Sequence, residues 1–198
     1  MSQSKSSADT SSTLALEDDP RPDGLKSAKS LVLVLTGNGK GKSSSAFGMV
    51  MRAVAREWKV CVVQFIKSSE WQVGEQKICE SLNVQWHSLG GGFTWDSNNI
   101  EQDKDLARKA WEVSTRLIQS GEFDLIVLDE VTYLMAWNWV EHENILEVIA
   151  DRPQHVNLIC TGRDAPQSLI DIADTVTSMT NVKHAYESGI AAKKGIDY

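Results

Sequence analysis

The stretch Thr36-Gly37-Asn38-Gly39-Lys40-Gly41-Lys42-Ser43-Ser44-Ser45 decides how the rest of the chain is read. It follows an aliphatic run, Leu31-Val32-Leu33-Val34-Leu35, and precedes an apolar-periodic segment that opens Ala46-Phe47-Gly48-Met49. Strand, glycine-rich turn, Lys-Ser and helix are the parts of a phosphate-binding loop, in the order such a loop requires. Gly37, Gly39 and Gly41 open backbone conformations closed to residues with a Cβ, so successive N–H groups can point inward at an anion. The helix adds its positive N-terminal end. Lys42 supplies a mobile cation and Ser43 a hydroxyl suited to Mg2+. The loop departs from the strict spacing in one respect. A glycine should stand at position 36, which is Thr36, and Gly37 comes one place late.

Composition sets the frame around this loop. A chain of 198 residues, 41% hydrophobic and 24% charged, fits one globular domain with a sizeable core. Residues 1–29 are rich in Ser, Asp, Lys and Pro and too poor in large apolar side chains to offset the entropy of ordering. They are expected to be disordered, or ordered only by a ligand or a partner, ahead of a domain spanning 30–198. A net charge of −7 and a pI near 5.1 argue against a nucleic-acid binder, which would need a basic face. The three cysteines show no CxxC spacing and read as buried thiols of a reducing compartment. No apolar run approaches a membrane span and no signal-peptide core follows the N-terminus, so a cytoplasmic protein is expected.

From Leu31 onward short apolar runs alternate with helical patterns, the signature of an α/β fold with a mostly parallel central sheet and helices on both faces. Strands are expected at 31–35, 60–65, 84–88, 124–129, 156–161 and 175–179. Helices are expected at about 42–58, 75–82, 103–120, 141–150 and 166–173. Ligands of such sheets sit beyond the C-terminal strand ends. The loops after 35, 65, 88, 129 and 161 are therefore the ones to examine.

Three of those loops carry chemistry. Leu125-Ile126-Val127-Leu128-Asp129-Glu130 puts carboxylates at a strand tip, where a phosphate-loop protein holds its metal. Either Asp129 or Glu130 could be the direct ligand, their side chains pointing to different sides of an extended backbone. The loop 89–99 bears three glycines beside Phe93 and Trp95; these aromatics either anchor the loop or offer a flat apolar surface to a large planar ligand. Arg163, after the fifth strand, could reach phosphate oxygens bidentately. The histidines lack metal-ligand spacing, and no nucleophile elbow or catalytic cysteine setting is present.

Taken together, TGNGKGKSSSAFG (36–48), VVQFIK (62–67), GGFTW (91–95), VLDEVTY (127–133), ICTGRDAP (159–166) and GIDY (195–198) resemble the ATP:corrinoid adenosyltransferases of the CobA type, from about Leu31 to Tyr198. The resemblance implies a P-loop NTPase-like fold. It also implies transfer of the 5′-deoxyadenosyl group of ATP to the cobalt of cob(I)alamin or a related corrinoid, with triphosphate leaving whole. By the same resemblance Gly37, Asn38, Gly39, Lys40, Gly41, Lys42, Ser43 and Ser44 would bind ATP, with Arg52 and Arg163 as supporting contacts. Ser43 with Glu130 or Asp129 would hold Mg2+, or Mn2+ in its place. Lys42 would be catalytic. Phe93 and Trp95 would pack below the corrin ring and exclude its lower axial ligand, which eases reduction of Co(II). The family further implies a homodimer and a flavodoxin-type reductant. Two rivals share the fold, a small-molecule kinase or nucleotide switch and a non-catalytic carrier. The first lacks its guanine-reading motif or an arginine-rich lid, and the second has no use for a triphosphate-and-metal site.

Overall fold

The computed structural model describes residues 21–68, 74–90 and 100–197. The loop with Phe93 and Trp95 and the terminal Tyr198 lie outside the described residues, as do residues 1–20. Residues 21–31 form neither helix nor strand.

The chain alternates as its pattern predicts: β1 (Val32–Thr36), α1 (Lys42–Val54), β2 (Val60–Ser68), α2 (Gly74–Ser81), β3 (Gln85–Gly90), α3 (Ile100–Ser120), β4 (Leu125–Asp129), α4 (Thr132–Ala136), α5 (His142–Ala150), β5 (Asn157–Thr161), α6 (Gln167–Ile172) and β6 (Thr175–Ser178). The strands form one sheet in the order β3-β2-β4-β5-β1-β6, and every pairing is parallel.

Central strands buried on both faces need apolar residues at every position, which is why β4 reads Leu-Ile-Val-Leu. The pleat sends alternate side chains to opposite faces. Leu125 and Val127 meet Ala46, Phe47 and Val50 of α1, and Cys79 of α2, on one side. Ile126 and Leu128 meet Ala110, Trp111 and Ile118 of α3, and Ile145 and Ile149 of α5, on the other. The expected helices on both faces are thus present.

The elements differ from the sequence pattern in four places. The first helix stops at Val54, short of the expected Trp58. Glu57 takes a left-handed backbone (φ 61°), Trp58 N donates to Ala53 O (3.1 Å) and Glu57 N to Val54 O (2.9 Å). This is a Schellman ending in which glutamate occupies the place glycine usually marks. Next, β2 runs on to Ser68, with Ile66 at φ 68° and a shift of its register against β3. α3 begins at Ile100, one turn earlier than its apolar spacing suggests. Two short elements were not expected, α4 and a 3-10 turn at Ala185–Ser188.

The three cysteines are free and buried. Burial pushes the Cys61 and Cys160 thiols up to about 12, so the reactive thiolate is scarce at neutral pH. A disulfide-exchange reagent at pH 8 is expected to leave both unlabelled in the native protein and to label both in guanidinium; rapid native labelling of either would contradict this packing. Leu128 is fully buried, and Leu128→Ala should cost about 2–5 kcal/mol in urea unfolding.

Candidate active site

β1 ends at Thr36 and the chain turns through the glycines at once. Gly37 adopts φ +92°, and a Cβ there would stand 2.4 Å from Met179 O. The crowding comes from the segment just after β6. Met179 N donates to Thr36 O (2.8 Å) and Gly39 N donates to Met179 O (2.8 Å), so an edge strand braces the loop. Gly41 precedes α1 at φ +112° with no side-chain cap. The first amides of that helix are thus left for an anion or water.

Lys42 folds back over the loop. Its Nζ donates to Gly37 O (2.9 Å) and Gly39 O (2.8 Å). Desolvation by burial holds its pKa below the ordinary lysine value, and the nearby Arg163 charge acts in the same direction. The Glu130 and Asp129 carboxylates oppose that shift.

Those two acids stand at the tip of β4 and are treated differently by the fold. Asp129 is fully buried. Its Oδ1 accepts from Ser43 Oγ (2.7 Å) and Thr161 Oγ1 (2.7 Å), and its Oδ2 from Gln64 Nε2 (3.0 Å). Glu130 is only half-buried and turns away through a left-handed backbone, φ 67°. It lines a cavity of about 210 Å3 with Lys40, Lys42, Ser43, Ser44 and Asp197. The divergence expected of adjacent carboxylates is therefore present, with Asp129 turned to the interior and Glu130 to the cavity.

The remaining residues named from sequence fall as follows. Asn38 is exposed at the loop tip. Lys40 pairs with Asp197, whose carboxyl is held below its usual range by the Lys193 backbone N–H and by Lys40. Arg163 is exposed beside the site, its backbone carbonyl accepting from Thr132 Oγ1 (2.6 Å). Arg52 is not brought to the loop within this chain. Ten residues along α1, about 15 Å at helical rise, it lines a groove with Leu31, Leu33, Trp58 and Leu125 at the opposite ends of the strands. A second cavity of about 390 Å3 adjoins the first and shares Phe47, Glu75 and Ile196 with it. It is apolar, lined also by Met51, Ile78 and Cys79.

Sequence reasoning missed Gln64, Thr161, Thr132 and Met179. Gln64 and Thr161 do carry a signal, a polar residue directly after a run of buried apolar ones, Val60-Cys61-Val62-Val63 in β2 and Leu158-Ile159-Cys160 in β5. Met179 carries none, since it acts through its backbone.

The profile of the family described as ATP:corrinoid adenosyltransferase BtuR/CobO/CobP matches residues 28–198. The chain is 39% identical to a corrinoid adenosyltransferase of Escherichia coli K12 over 86% of each chain. It is 39% identical to the corrinoid adenosyltransferase CobA of Salmonella typhimurium, again over 86% of each. Against the corrinoid adenosyltransferase of Pseudomonas aeruginosa the identity is 41%, over 86% of this chain and 84% of the relative. With the loop, the paired acids and the C-terminal Gly-Ile-Asp all inside the matched span, the chain belongs to the ATP:corrinoid adenosyltransferase family.

Proposed function

We propose that this protein transfers the 5′-deoxyadenosyl group of ATP to the reduced cobalt of cob(I)alamin or a related corrinoid. The cobalt electron pair forms the Co–C5′ bond, the C5′–O bond breaks, and its pair leaves on triphosphate. The observation that carries the reading is one cavity on which Lys42, the uncapped start of α1, Ser43 and Glu130 converge, in a chain whose relatives bear that activity in their names. The loop is a phosphate loop in this reading. Lys42 exchanges its bonds to Gly37 O and Gly39 O for bonds to triphosphate oxygens, and the loop amides take others. Charge developing on the leaving oxygen is thereby met in place. No general base is required, because the nucleophile carries no proton.

The residues present also fit a divalent metal. Among the described residues no group of three or more His, Cys, Asp or Glu forms a metal cage. Mg2+ seldom needs one; it takes one or two protein oxygens and completes its shell with water and substrate phosphates. Ser43 and Glu130 would hold the ion, or Mn2+ in its place, while Asp129 fixes the Ser43 hydroxyl. Bound there, the ion would supply further neutralisation of the triphosphate. Phe93 and Trp95 would form the corrin floor and displace the lower axial ligand, a role supported by the family resemblance and by their place in sequence just after β3, whose C-terminal end is at the same end of the sheet as the glycine loop. The homodimer and the flavodoxin-type reductant rest on the same resemblance. Three buried free thiols support a cytoplasmic setting.

Protein mixed with chemically reduced corrinoid, ATP and Mg2+ is expected to yield the light-sensitive alkylcobalt product with one triphosphate per turnover. Release of ADP without cobalt alkylation would rule the reading out. The lysine supplies a second test. Its folded-state pKa lies below the ordinary 10.5, so between those values the unfolded chain binds more protons and stability rises with pH. Lys42→Met should flatten that rise in the ligand-free protein; an unchanged slope would show that the lysine is not desolvated.

A further inference from the structure

We infer that Thr161 is a positioning residue that sets the Glu130 carboxylate in the site. The inference rests on the adenosyltransferase reading and assigns work to a residue on which that reading is silent. β5 lies between β4 and β1, so the tip of β5 touches both acid residues. The Thr161 hydroxyl is buried and serves both at once. It donates to Asp129 Oδ1 (2.7 Å) and accepts from the Glu130 backbone N–H (3.0 Å). These roles are fixed, because an amide can only donate and a carboxylate can only accept.

The second bond matters because of where it falls. Glu130 is a residue with a Cβ held at φ 67°, a region such residues populate only when the surroundings impose it. That left-handed turn swings Glu130 off the line of β4, away from the interior position of Asp129 and onto the cavity wall beside Lys42 and Ser43. Thr161 holds the amide at the start of the turn. A reciprocal bond closes the far side, where Thr132 Oγ1 donates to Arg163 O (2.6 Å). Thr161 at the end of β5 thus bonds the backbone after β4, and Thr132 at the start of α4 bonds the backbone after β5. The backbone at Glu130 and at Arg163, an acid and a cation at this end of the sheet, is held by one pair of crossed bonds.

A threonine that merely fills the core would matter for stability alone. The two roles separate in Thr161→Val, which keeps shape and removes the hydroxyl, and Thr161→Ser, which keeps the hydroxyl and removes a methyl. Binding of Mn2+ in the presence of inorganic triphosphate, followed by the loss of the free-ion EPR signal, reads the site without turnover. Thr161→Val should bind Mn2+ about tenfold or more weakly, the usual effect of losing a residue that orients a ligand. Thr161→Ser should bind as the parent does. In turnover the apparent KM for the metal should rise in Thr161→Val, with kcat recovered at saturating metal. Parent-like Mn2+ affinity in Thr161→Val, or an equal loss in Thr161→Ser, overturns the inference. Should the valine variant not fold, Thr161→Ala takes its place in the same comparison. A parent protein that binds no Mn2+ with triphosphate overturns the functional reading itself, a result distinct from either.

Discussion

The structure turns on one buried carboxylate. Asp129 sits at the tip of the central strand with no exposure to water, and a charge in that position is tolerated only if its oxygens are met by donors. Those donors come from three other segments. Ser43 belongs to the first turn of α1, Gln64 to β2 and Thr161 to β5. The acid therefore fixes the distance between the glycine loop and the far half of the sheet, although β5 intervenes between their strands. Removing any donor would leave the others in place but the charge less well met, which gives the arrangement its rigidity. The acid that lines the cavity is the neighbouring Glu130.

The site brings cations and acids together at one strand end of an acidic chain. The net charge is −7, and around the loop Lys40, Lys42, Arg163 and a helix N-terminus stand among the acids Glu75, Glu130 and Asp197. A field so local acts over roughly the Debye length of about 8 Å at physiological salt, so the sign of the whole surface does not decide what the loop binds. The cradle is also internally balanced. Lys42 is occupied by two loop carbonyls and Lys40 by Asp197. In the adenosyltransferase reading, an entering polyphosphate would exchange partners with these lysines instead of meeting bare charges.

Much of this was legible in the chain. The aliphatic runs of β1, β4 and β5 are strands because nothing else buries such runs on both faces, and the glycine loop is marked by residues whose backbone freedom the turn requires. The stop of α1 was not legible, because Glu57 adopts a conformation that the pattern assigns to glycine. α4 was too short for any period to show. The choice between Asp129 and Glu130 could not be made from order alone; it depends on which of two adjacent side chains meets donors from β2 and β5. Strand order is a property of the assembled sheet, so Gln64 and Thr161 stayed unremarked inside motifs that were themselves recognised. Arg52 shows the converse, a residue one helix away in sequence from the loop and at the other end of the sheet in space.

The bond from Thr132 to Arg163 O, which draws Thr132 against Gly162, also orders the way this region can vary. A Cβ on Gly162 would meet Thr132 Oγ1 at 2.0 Å, and the backbone there, at φ +136°, disfavours any side chain. Position 162 is thus barred twice and position 132 only once. Thr132 can be shortened with Gly162 kept, whereas a side chain added at 162 with Thr132 kept leads into a clash. Substitutions at the two positions are therefore expected to be non-additive.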